Sequence, residues 1–381
     1  MKIPFNKPFL TGKETAYIEQ AVNQGQLSGN GPFTKKCQQF FETRYGFKKA
    51  LLTTSCTDAL EMCALLLEGN PGDEIIVPSY TFVSSALAFE RQGFTIKFAD
   101  SQKQHPNVCA SSIAAQITAK TRAIVVVHYA GVAVELDEIK RLATEQNLVL
   151  IEDAAQAIDS FYIWNGKKYP LGSLGDLATF SFHETKNIIA GEGGLLAINN
   201  EQYIEKAEII WEKGTDRASF FRGEIDKYGW VDLGSSFLPS EVIAAFLYAQ
   251  LENLDEIQAK RLLIWQRYFM GLQELSKIDK NILPKLPVFA TNNAHMFYLV
   301  CQDEQSRTDL IHFLKANGIH AVFHYQSLHK SKYYLNKYDE RPELPQSDKY
   351  TANLVRLPFY YSLSETDQNY IIEKVLEFFQ K

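Results

Sequence analysis

The run Ser181-Phe182-His183-Glu184-Thr185-Lys186-Asn187, followed by Gly191-Glu192-Gly193-Gly194, sets a lysine in a short polar loop. That loop lies between an apolar stretch, Ala178 to Phe182, and a glycine-rich turn. A lysine held by its neighbours can serve as a nucleophile, unlike a solvated surface lysine. Upstream, Asp153 ends a second apolar run, Leu148-Val149-Leu150-Ile151-Glu152-Asp153, and Gln156 follows it. Together Lys186 and Asp153 are the pair that pyridoxal phosphate chemistry requires: a Schiff-base amine, and an anion that keeps the pyridine nitrogen protonated.

Three further places fit such a cofactor. Thr54-Ser55-Cys56-Thr57-Asp58 puts small hydroxyl residues at a helix start, where free N–H groups and the helix dipole favour a phosphate. Thr57, with the N–H groups of Cys56 and Thr57, is the candidate phosphate holder; ordinary N-capping is the other reading. Phe82, in Ser79-Tyr80-Thr81-Phe82, follows a strand and can stack on a flat ring or belong to the core. Ser181 offers one more hydroxyl.

To bring these residues together the chain must place several strand ends side by side. Short apolar strands are expected at Ala50–Thr54, Glu74–Pro78, Thr95–Ala99, Ala123–His128, Leu148–Glu152, Ala178–Phe182 and Leu195–Asn199. Helical periodicity lies between most of them, including Cys56–Leu67 and Leu136–Gln146, so the class is α/β with a mostly parallel sheet. A charged helical stretch from about Ser240 to Leu275 reads as a connector. From Pro284 onward a smaller α/β unit is expected, with strands near His295–Val300 and Ala321–His324 and a closing helix Glu365–Phe379. The expected division is a large domain of residues 1–250 and a small C-terminal domain of residues 251–381.

Bulk composition excludes several classes. A length of 381 residues allows two domains at roughly 150 residues each. The net charge of −6 and pI near 5.8 offer no basic field for nucleic acid. No run approaches the about 18 apolar residues of a membrane span, and the N-terminus lacks the apolar core of a secretory signal. Neither nucleic acid nor membrane is an expected partner. Five cysteines without CxxC spacing suggest neither disulfides nor zinc, and a reducing cytoplasm fits. His324 with His329 is the nearest approach to a metal pair, and no carboxylate sits at ligand spacing; no metal is expected.

At this point the chain resembles a known family. Pro78-Ser79-Tyr80-Thr81-Phe82, Glu152-Asp153-Ala154-Ala155-Gln156, the Ser181–Asn187 run and Gly191-Glu192-Gly193-Gly194 are similar to motifs of the DegT/DnrJ/StrS sugar-nucleotide aminotransferases, fold-type I pyridoxal phosphate enzymes. The likeness runs from Ile3 to the C-terminus. Ile3-Pro4-Phe5-Asn6, the Phe220–Tyr228 segment, Asn293-Ala294-His295-Met296-Phe297-Tyr298 and Ala321-Val322-Phe323-His324-Tyr325 look like the branch that makes dTDP-4-amino-4,6-dideoxygalactose for enterobacterial common antigen and O-antigen.

The resemblance implies a catalytic pair, Lys186 and Asp153, with Gln156 at the ring's phenolic oxygen, Phe82 on its face, and Thr57 and Ser181 at the phosphate. It also implies L-glutamate and a dTDP-keto sugar as substrates, and a homodimer that shares its active sites. The family completes each site with an asparagine and an arginine from a Gly-Tyr-Asn-Tyr-Arg-Met-Ser-Glu motif. Here the chain reads Gly234-Ser235-Ser236-Phe237-Leu238-Pro239-Ser240-Glu241, so Ser236 stands for the asparagine and Leu238 for the arginine. His183, Arg222, Lys227 and Lys330 are candidates for substrate contact, or are surface groups. The family's sugar dehydratases carry histidine where this chain has Lys186, which argues against dehydration. Other aminated sugars and a silent binding protein of the same fold are the remaining alternatives.

Overall fold

The computed structural model describes residues 2–279 and 282–380. Nine strands belong to the first part of the chain: β1 (Lys49–Thr53), β2 (Glu74–Pro78), β3 (Thr95–Ala99), β4 (Thr121–Val127), β5 (Val149–Asp153), β6 (Phe161–Trp164), β7 (Lys167–Pro170), β8 (Leu177–Ser181) and β9 (Gly194–Ile198). Three more, β10 (Tyr298–Val300), β11 (Val322–Phe323) and β12 (Leu354–Arg356), come later.

The central sheet has the order β1-β9-β8-β5-β4-β2-β3. The β3–β2, β2–β4, β4–β5 and β5–β8 ladders are parallel, while β9 runs antiparallel to both β8 and β1. Its strands are apolar on both faces because helices cover both. In β4, Ile124 and Val126 join one core with Phe33, Phe41, Leu136 and Leu247. Ala123 and Val125, one residue out of step, join the other core with Leu60, Phe89 and Ile210. Period-two alternation thus sorts a single hydrophobic run between two layers.

Every expected strand of this sheet is present, with ends shifted by a residue or two, and β2 and β3 coincide with expectation. The hairpin β6–β7 was not expected; it turns at Asn165-Gly166, both with positive φ. The expected connector is two helices, Glu241–Leu251 and Leu254–Gly271, followed by a 3-10 turn at Gln273–Lys277. They break at Glu252-Asn253, where Asn253 donates its side-chain amide back to the Ala249 carbonyl at 2.8 Å.

The second sheet, β10-β12-β11, is antiparallel. One face, with Leu299 and Val355, packs on a core that includes Trp265, Leu310 and Ile371. The other, with Tyr298, Val300 and Leu354, meets Tyr80 and Tyr129 of the larger sheet's loops. Ile3 pairs with Ile319, so the chain's start runs alongside this second sheet. The closing helix is Glu365–Phe379, as expected, and Ser364 caps it by accepting from Asp367 N.

Candidate active site

Asp153 ends β5 and is buried. Its Oδ2 accepts from Ser85 Oγ at 2.7 Å and its Oδ1 from Ala155 N at 3.1 Å, while Ser85 Oγ lies 3.0 Å from Thr81 Oγ1. Burial pushes the carboxyl above its usual range, against the pull of Ser85, Ala155 and the Lys186 charge. Lys186 is pushed the other way: burial lowers its pKa, opposed by Cys56 and Asp153. The two side chains feel each other, yet neither has an ion-pair partner within 4 Å among the described residues. The two groups are thus near enough to interact and are not paired with each other.

The loop carrying Lys186 is closed by its own backbone. Phe182 N donates to Gly193 O, Ala190 N to Phe182 O and Glu184 N to Gly191 O. Asn187 anchors it from behind, donating to Gln258 Oε1 and Asn293 O at 2.8 Å each and meeting His295 Nδ1 through its Oδ1 at 2.9 Å. This gives the Asn293-Ala294-His295 segment a positioning role.

Beside β5 the helix Cys56–Leu66 begins, with Ser55 accepting from Asp58 N at 3.1 Å. The N–H groups of Cys56 and Thr57 meet no backbone acceptor among the described residues, and Thr57 Oγ1 lies 2.8 Å from Ser84 Oγ. Gly194, the first residue of β9, abuts this helix start: a Cβ there would stand 2.3 Å from Ser55 C and 2.4 Å from Cys56 N. Only glycine permits strand and helix terminus to meet so closely. The result is a cradle of free donors with a helix dipole behind it, suited to a phosphate. Cradle, amine and buried carboxylate are the three grips pyridoxal phosphate needs.

Phe82 is 56% exposed at the carboxyl end of β2, its ring 6.1 Å from that of Tyr325, so it is not a core phenylalanine. Gln156 is buried, accepts from Ala130 N at 2.7 Å and donates to Tyr325 OH at 3.0 Å, leaving one amide proton for another acceptor. Ser181 ends β8 with only a 3.4 Å contact from His183 N. Ser236 is exposed next to Phe237, whose carbonyl accepts from Thr54 N at 3.0 Å.

The four substrate candidates are placed less evenly. His183 bonds Thr185 Oγ1 at 2.9 Å. Arg222 is bound to Glu208 and Glu224 at 2.7 Å each, and Lys330 to Asp348 at 2.6 Å. Lys227 is exposed. His324 and His329 face Tyr129 OH and Ser79 Oγ respectively, both at 2.7 Å.

Sequence reasoning missed Ser85 and the buried pair His128–Glu152. Glu152 receives His128 Nε2 at 2.9 Å together with N–H groups of Gly172, Leu174 and Gly175. Burial raises this carboxyl, but His128 and the glycine N–H groups bring it below its usual value. The adjacent Glu152-Asp153 dipeptide at a strand end was the available signal: alternation turns one carboxylate each way.

Comparison with known proteins gives the family and the fold. The model of the DegT/DnrJ/EryC1/StrS aminotransferase family matches residues 8–376. The spore coat polysaccharide biosynthesis protein SpsC of Bacillus subtilis is 29% identical over 98% of this chain and 96% of its own length. The aminotransferase TlmJ of Streptoalloteichus hindustanus superposes with a TM-score of 0.89 at 27% identity, covering 100% of this chain and 99% of its own. NtdA of Bacillus subtilis, solved with bound cofactor PMP, gives 0.87 at 25% identity over 100% of this chain and 86% of its own. With the α/β fold-type I architecture in place and pyridoxal 5'-phosphate as cofactor, the chain belongs to the DegT/DnrJ/EryC1/StrS aminotransferase family and is a sugar aminotransferase.

Proposed function

We propose that this enzyme moves an amino group from L-glutamate to C4 of dTDP-4-keto-6-deoxyglucose, giving dTDP-4-amino-4,6-dideoxygalactose and 2-oxoglutarate for a cell-surface polysaccharide. The observation that carries the chemistry is the unpaired Lys186–Asp153 couple in one enclosure. The polysaccharide role of SpsC and the sequence likeness of the Phe220–Tyr228 and Ala321–Tyr325 segments support the sugar.

The residues divide the work. When bound, the cofactor supplies an electron sink for the carbon that loses its proton. Asp153 keeps the sink effective by holding a proton on the ring nitrogen, and burial strengthens that pairing. Lys186, whose pKa burial lowers, is the base that takes the donor's Cα proton and delivers a proton to the sugar carbon. Thr57, Ser181 and the N–H groups of Cys56 and Thr57 would hold the cofactor's phosphate, and Phe82 and Gln156 would hold its ring.

The homodimer with shared sites belongs to the same proposal. Phe221, Tyr228, Trp230, Val231 and Leu233 are all exposed on one stretch of chain, Trp230 at 82%, and a second copy would cover them. Ser236 follows directly and is exposed, and to it we assign the contact with a partner's cofactor. His183, Lys227 and Lys330 remain candidate contacts for the nucleotide arm; Arg222 would have to leave two carboxylates to join them. We also propose the domain division near residue 250 and a cytoplasmic setting, in keeping with five free cysteines.

Incubating the purified enzyme with L-glutamate and dTDP-4-keto-6-deoxyglucose tests the reading. Stoichiometric 2-oxoglutarate and an NMR spectrum with an axial C4 amine are expected. An equatorial amine, amination at C3, or no turnover of this sugar would overturn the assignment.

A further inference from the structure

Asp153 has to be charged where charge is disfavoured. Burial raises its carboxyl, so the fold must oppose burial before the group can serve a ring nitrogen. The titratable groups that face it are Lys186 after β8, His128 after β4, Cys56 and Cys63 on the helix Cys56–Leu66, and Tyr325. None of them is hydrogen-bonded to the carboxylate among the described residues. Burial keeps both thiols and the phenol protonated, and His128 has its ring nitrogens on Glu152 and Val134 N. The side chain that does donate is Ser85, 2.7 Å from Oδ2.

A hydroxyl has a single proton to give. Ser85 gives its proton to Asp153, so at the 3.0 Å contact between Ser85 and Thr81 the proton must come from Thr81. Both hydroxyls are buried. They form a chain polarised toward the carboxylate, in which each bond strengthens the next. Ala155 N donates to the other oxygen at 3.1 Å, so both oxygens of Asp153 face donors. The same short segment reaches the other cofactor candidates: Phe82 lies between Thr81 and Ser85 in the chain, and Ser84 Oγ stands 2.8 Å from Thr57 Oγ1.

We infer that Ser85 is a positioning residue for Asp153: its hydroxyl, backed by that of Thr81, holds the carboxylate ionised and fixed in direction for the cofactor's ring nitrogen. A hydrogen bond to the charged form favours that form. Without it the carboxyl keeps a proton more readily, and a proton shared between carboxyl and ring nitrogen moves toward the oxygen. The nitrogen then loses the charge on which the electron sink depends. The inference rests on the proposed contact of Asp153 with that nitrogen and goes beyond it, by assigning the groups that keep the contact charged. A serine that merely fills its place in the core is the alternative.

Two NMR measurements separate these readings. In cofactor-free protein carrying 13C-labelled aspartate, with the Asp153 signal assigned by its loss in Asp153→Asn, the carboxyl of Ser85→Ala should titrate about one pH unit higher than that of wild type, the scale of one hydrogen bond to a charged group. Ser85→Thr, which keeps the hydroxyl, should titrate as wild type does. In protein loaded with 15N-labelled pyridoxal phosphate, the ring-nitrogen signal of Ser85→Ala should move toward the unprotonated position, and the reaction with L-glutamate should slow by about tenfold with little change in KM. An Asp153 midpoint that stays put or falls in Ser85→Ala, a raised midpoint with an unmoved ring-nitrogen signal, or failure of Ser85→Thr to restore both overturns the inference. If Ser85→Ala does not fold, Thr81→Val removes the second link, and a smaller change in the same directions is expected; no change counts against the chain. A ring-nitrogen signal that responds to Asp153→Asn and not to Ser85→Ala defeats this inference and leaves the role of Asp153 standing. A signal indifferent to Asp153→Asn defeats both.

Discussion

At the scale of single residues, Asp153 gives the sharpest separation between structure and chemistry. Its carboxyl is pushed above the usual range in the cofactor-free protein, chiefly by burial. A carboxyl whose folded pKa exceeds its unfolded one binds more protons when folded, so its contribution to stability falls as pH rises between the two values. Asp153→Asn removes that penalty. The cofactor-free variant is expected to melt no lower than wild type at neutral pH, while turnover drops roughly 10²- to 10³-fold because an amide cannot balance a pyridinium. A large loss of melting temperature with near-normal turnover would make the aspartate structural. The Lys186–Asp153 couple was legible from sequence because Asp153 ends one apolar run and Lys186 follows another in a short polar loop, and strand ends of a parallel sheet gather at one edge. Ser85 was not: it reaches Asp153 across a distance that only the folded chain closes, and it belongs to no patterned run.

Among the elements, β9 and the helix Cys56–Leu66 meet backbone to backbone in the site. Gly194→Ala would drive a Cβ into the backbone of Ser55 and Cys56, atoms that cannot rotate away. We expect about 1–3 kcal/mol of destabilisation from the overpacking. Cofactor affinity should fall by about tenfold or more, read from equilibrium dialysis, since the displaced N–H groups form the cradle. Unchanged affinity would move the phosphate elsewhere. The strands of the central sheet were readable because burial on both faces leaves unbroken Val, Ile and Leu runs. The hairpin β6–β7 was overlooked although Asn165-Gly166 is a strong turn signal, because its flanking residues are half exposed and mixed in character. Strand β12 is only 3 residues long and follows a helix directly, too short to show a period. Glu241, in the segment that departs from its family's motif, serves the fold: its carboxylate accepts from Gly31, Phe33 and Thr34 N–H groups and so caps the helix Pro32–Tyr45.

For the whole molecule, the exposed apolar stretch around Trp230 predicts association. Light scattering should give twice the 43.3 kDa chain mass, and Trp230→Glu should shift the protein toward monomer and lower its activity, because the proposed dimer completes each site across its interface. A monomeric, fully active wild type would remove the shared-site proposal without touching the chemistry of the single chain. That chemistry depends on Lys186 alone among the lysines being joined to the cofactor that Asp153 holds. Borohydride reduction of the cofactor-loaded enzyme, followed by peptide mass mapping, tests this directly: the phosphopyridoxyl mass is expected on the peptide containing Lys186, and its appearance on another lysine, or on none, contradicts the account.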